Sequence, residues 1–101
     1  MTTNQRIELI NELLSRVLTN RLDADITIRI SLINYLQKRD RPSGGKIGGE
    51  KIYFSIKNIK SPINMSLFRQ DILDNYNFLL YSLEGEKYKE VTSIDLVLIA
   101  A

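Results

Sequence analysis

Gly44 and Gly49 stand five residues apart, with Lys46 between them and Lys51 just beyond, so "RPSGGKIGGEK" at 41–51 has the glycine spacing of a phosphate-cradling loop. That chemistry needs a lysine directly after the second glycine, to reach the phosphates. A serine or threonine must follow, to hold magnesium. Glu50 and Lys51 occupy those two positions here. A carboxylate at the first would repel phosphate. The residues that follow alternate like a strand, so no helix N-terminus is there to receive the anion. The dinucleotide fingerprint fails on the same ground, because it too needs a helix after its glycines.

Other chemistry is thinly supplied. The chain has no cysteine and no histidine, which removes the commonest nucleophile–base pairings and the usual zinc ligands. Asp71 and Asp74 lie one helical turn apart and could suit magnesium, but such a pair is far more often a solvated helix face. Glu84 and Glu86 flank Gly85 in a sequence that reads as a turn. No catalytic residue, metal site or cofactor is expected, and the chain reads as a non-enzyme.

The charge pattern says more. The net charge is +2, yet residues 38–60 carry seven basic groups against Asp40 and Glu50. Residues 61–101 carry three basic groups against six acidic ones, and residues 1–37 balance. A β-arm over 34–58 would present Lys38, Arg39, Arg41, Lys46, Lys51 and Lys57, interleaved with Tyr35 and Tyr53. Basic groups on such a ribbon can track phosphates, and tyrosine can stack on a base. Lysines along an exposed strand also keep its edge from aggregating, which is their commoner role. The candidate contacts for a partner or nucleic acid are therefore Lys38, Arg39, Arg41, Lys46, Lys51, Tyr53 and Lys57.

These residues need a frame. Ile7, Ile10, Leu14, Val17 and Leu18 repeat at three- and four-residue steps, which predicts an amphipathic helix over the first twenty-odd residues, capped by Thr3 or Asn4. Ile26, Ile28, Ile30 and Leu32 alternate with polar residues and predict a strand from about 25 to 38, with a helix over 31–38 as the alternative. Ile52, Phe54 and Ile56 predict a second strand at 51–59. Pro62 ends it, and Asn64 or Ser66 can cap a short helix. Residues 78–83 and about 88–99 read as two further strands joined by "EGEK".

The sum is one α+β domain over residues 1–101. An N-terminal amphipathic helix packs on a mostly antiparallel sheet of about four strands, with a short helix between strands 2 and 3 and a flexible glycine-rich loop at 41–50. No apolar run approaches a membrane span, and no signal peptide is legible, so a cytoplasmic protein away from membranes is expected. The apolar final strand, "SIDLVLIAA", calls for burial or pairing. The reading that follows is a non-catalytic protein-interaction domain, a small regulatory, inhibitory or adaptor protein. It would bind a protein partner or a second copy through a sheet edge or the first helix. The alternative is nucleic-acid binding through 38–60.

Overall fold

The computed structural model describes residues 1–39 and 49–99. The order of elements is α1 (Thr3–Leu22), β1 (Asp25–Arg29), α2 (Leu32–Arg39), β2 (Glu50–Lys57), α3 (Met65–Glu84), a 3₁₀ turn (Gly85–Lys87) and β3 (Ile94–Leu98). β2 is the central strand, antiparallel to β1 and parallel to β3.

α1 is capped by Thr2, one residue before the expected Thr3 or Asn4. The Thr2 side chain accepts from the Gln5 amide, and the Gln5 side chain returns a bond to the Thr2 amide. This reciprocal box satisfies two amides that the first turn leaves over. The expected stripe faces the core, with Ile7, Ile10, Leu14 and Leu18 buried and Val17 half-buried. The helix stops at Asp23, whose positive φ of 49° lets the chain reverse into β1.

The strand expected over 25–38 is two elements. Alternation carries Ile26, Ile28 and Ile30 into the core. Ser31 then accepts from the Asn34 amide through its hydroxyl and from the Tyr35 amide through its carbonyl, and α2 begins. A local cap thus overrides the apparent continuation of the pattern through Leu32. Residues 34–39 of the β-arm expected over 34–58 are helical instead, and residues 40–48 lie outside the described residues.

The largest correction is α3. Asn64 caps it by accepting from the amides of Ser66 and Leu67, and it runs for 20 residues instead of forming a short helix. Phe68, Ile72, Tyr76 and Leu80 are buried at a strict four-residue step, so residues 78–83 belong to this helix and not to a strand. The "EGEK" stretch is the helix C-cap at Gly85 and the 3₁₀ turn, and no hairpin forms there. Among the described residues the sheet accordingly has three strands and is mixed. A parallel β2–β3 pair needs a crossover, and α3 supplies it.

α1 and α3 cover one face of the sheet. Ile26, Ile28, Ile52, Phe54 and Ile94 project into a single cluster with the buried residues of both helices. Phe54 meets Phe68 edge-on, with ring centroids 5.3 Å apart. Glu50 joins this face: it is 1% exposed, and the Tyr76 hydroxyl donates to its Oε2 across 3.5 Å. The carboxylate that spoils the phosphate-loop motif is therefore an inward-facing strand residue, not a surface charge. Of the glycine-rich loop expected at 41–50, only Gly49 and Glu50 fall within the described residues.

Candidate interaction surfaces

The opposite sheet face carries three of the expected contacts. Lys51, Tyr53 and Lys57 alternate out of β2, away from the helices; Tyr53 is half-buried and the lysines are exposed. Arg29 of β1 and Val97 of β3 flank Tyr53 in register. Lys38 and Arg39 fall in the last turn of α2, while Arg41 and Lys46 lie outside the described residues. Sequence periodicity brought Lys51, Tyr53 and Lys57 together. It missed Arg29, whose placement depends on non-local pairing.

That pairing also sets acidic residues on the face. Lys51 stands opposite Asp95, and Lys57 stands opposite Asp25. Cross-strand neighbours of opposite sign attract each other, which leaves Arg29 as the charge without an acidic cross-strand partner in these rows. Across these rows three basic residues stand against two acidic ones. The two aspartates once considered for magnesium are likewise engaged. Arg21 donates to both oxygens of Asp71, at 3.0 and 3.4 Å, tying α1 to α3, and Asp74 accepts from Gln70.

A cleft of about 780 Å³ opens between the start of α1, α2 and the end of α3. Arg6 and Lys87 share it with Glu84 and Glu86, and Tyr35 donates to Glu84. Its charges are mixed, and the lining does not favour a ligand of one sign.

The two sheet edges differ sharply. Along β1 the outward amides of Ile26, Ile28 and Ile30 donate to side chains of α1: to Thr19 Oγ1 at 3.0 Å, Ser15 Oγ at 2.7 Å and Asn11 Oδ1 at 2.9 Å. Four helical residues advance about 6.0 Å and two strand residues about 6.7 Å, so one polar residue per turn keeps step with every second amide. Each hydroxyl also has its proton placed: Ser15 donates to the Asn11 carbonyl and Thr19 to the Ile26 carbonyl. α1 thus seals the β1 edge as well as covering the core. The signal was present in the sequence as Asn11, Ser15 and Thr19 at four-residue spacing beside the apolar stripe.

α3 seals part of the other edge. Asn77 exchanges two 2.8 Å hydrogen bonds with the backbone of Val91, and Arg69 donates to the Ile94 carbonyl at 2.8 Å. Beyond Ile94 the cover ends. Glu50 donates to the Ser93 carbonyl and Ile99 donates to the Phe54 carbonyl, so the odd-numbered residues of β3 face β2. The backbone groups of Leu96 and Leu98 therefore point away from the sheet, and no bond to them is found among the described residues. Leu98 is 68% exposed. Further exposed apolar side chains sit on α2 (Ile33) and α3 (Leu67, Phe78).

No family model, curated protein or solved structure matches this chain. Among the described residues no helix is long and apolar enough to cross a membrane.

Proposed function

We propose that this protein is a non-catalytic protein-interaction module, a small regulatory, inhibitory or adaptor protein that engages its partner by strand addition at β3. One observation carries the reading: the β1 edge is sealed by three side chains, while Leu96 and Leu98 present backbone donors and acceptors with apolar side chains beside them. An open edge of that kind templates another strand. The first helix, the other surface considered for association, is already spent on the core and on the β1 edge.

Leu96→Pro tests this at little cost to the fold. Its amide faces outward, so proline there removes an edge donor and no β2–β3 bond. The variant is expected to stay folded by circular dichroism. Immobilised as bait, it is expected to capture at least ~10-fold less partner than wild type, since edge hydrogen bonds and packing are lost together. Equal capture by the two baits would sink the edge reading.

The second reading, nucleic-acid binding, is favoured by the common face of Lys51, Tyr53 and Lys57. A gel shift with DNA and RNA at low salt decides it. Binding that weakens when Lys38, Arg39, Arg41, Lys46 and Lys51 are neutralised, with a shallower salt dependence, would support it. No shift at low salt ends it.

A further inference from the structure

We infer that the strand added at β3 is the β3 strand of a second copy, antiparallel, with the two-fold axis passing through Val97. The inference rests on the edge reading above and specifies its partner. The argument is one of register. Isologous pairing about Val97 sets Leu96 opposite Leu98 of the second copy, and Leu98 opposite its Leu96. Both residues have their backbone groups on the outer side, so the pairing forms four ladder hydrogen bonds from groups that are free among the described residues. An axis through Leu96 would instead call on the Ile94 carbonyl, which Arg69 already occupies. An axis through Asp95 would oppose two carboxylates, which is unfavourable.

The side chains agree with the Val97 axis. Residues 96–99 are Leu, Val, Leu and Ile, so no charge meets its own image. Asp95 falls opposite Ile99 of the second copy. Leu98, 68% exposed in the single chain, gains a leucine neighbour on the helix-covered side. On the other face the Arg29–Tyr53–Val97 row runs on through its symmetry mate, giving one six-stranded sheet whose two outer edges are both sealed by α1.

Because the chain has no cysteine, Val97→Cys is a clean probe. Val97 would form a non-hydrogen-bonded pair with its mate at a Cα separation of about 4.5 Å, within disulfide range. Mild oxidation is expected to convert most V97C to a covalent dimer on a non-reducing gel. L96C, offset from its mate by two residues, is expected to remain a single chain. In sedimentation, wild type is expected to dimerise and Leu96→Pro to shift dissociation at least ~10-fold, because two of the four donors are gone. A wild type that stays monomeric to about 1 mM overturns the second copy as partner. L96C linking in place of V97C overturns the register. The edge reading fails separately, only if Leu96→Pro captures partner as wild type does.

Discussion

Phe68→Ala is expected to lower the free energy of unfolding by ~3–5 kcal/mol. Phe68 is fully buried in the first turns of α3 and meets Phe54 of β2 edge-on. Truncation removes the contact between the crossover helix and the central strand and leaves a cavity between elements that are each pinned elsewhere. Domains of this size hold only ~5–15 kcal/mol in total, so the loss is a large fraction of the whole. Urea titration should show a lower midpoint at unchanged slope, with the melting temperature down by at least ~12 °C. Phe78→Ala on the same helix is the control. Phe78 is 66% exposed, and its truncation should change stability by no more than ~0.5 kcal/mol. Equal effects from the two would contradict the placement of residues 78–83 in a helix.

The second large effect belongs to the ladder along β1. Ser15→Ala is expected to destabilise by ~1–2.5 kcal/mol, since the Ile28 amide loses its acceptor in a part-buried setting. Helix propensity alone predicts the opposite sign, because alanine improves a helix by a few tenths of a kcal/mol over serine. A stabilised variant would show that the ladder contributes nothing. The Ile28 amide should also exchange with solvent faster than in wild type. Arg16→Ala, next along the helix, breaks only an ion pair with Glu12 whose partners are 65% and 64% exposed. It should cost about 0.5 kcal/mol or less.

Legibility from sequence divided along local and non-local lines. The stripe of α1 and the alternation of Ile52, Phe54 and Ile56 in β2 were readable because burial of one face imposes a period on the sequence itself. The same rule placed Lys51, Tyr53 and Lys57 on a common surface. It misled at "NFLLYSL", where aromatic and branched residues suggested a strand although Phe68, Ile72, Tyr76 and Leu80 already carried a helical step through it. It misled again at Ser31, where one hydroxyl cap ends the alternation. The parallel partner of β2 was out of reach, because a 20-residue crossover read as a short helix plus a strand implies a hairpin instead. Non-local strand pairing also hid that Asp95 and Asp25 stand opposite Lys51 and Lys57 on the basic face.

The α1–β1 ladder also orders events in time. Its three bonds close loops of increasing sequence separation, 7, 13 and 19 residues, and each is nested inside the next. Closing the innermost, Thr19 to Ile26, leaves only a short extension for Ser15 to Ile28, and that in turn shortens the search for Asn11 to Ile30. Entropy is lost in small instalments. The first half of the chain is thus built to zip from the turn at Asp23 outward, before the crossover that brings in β3. Folding rates of Thr19, Ser15 and Asn11 alanine variants read this directly: transition-state involvement should fall in that order, and a reversed order would refute it.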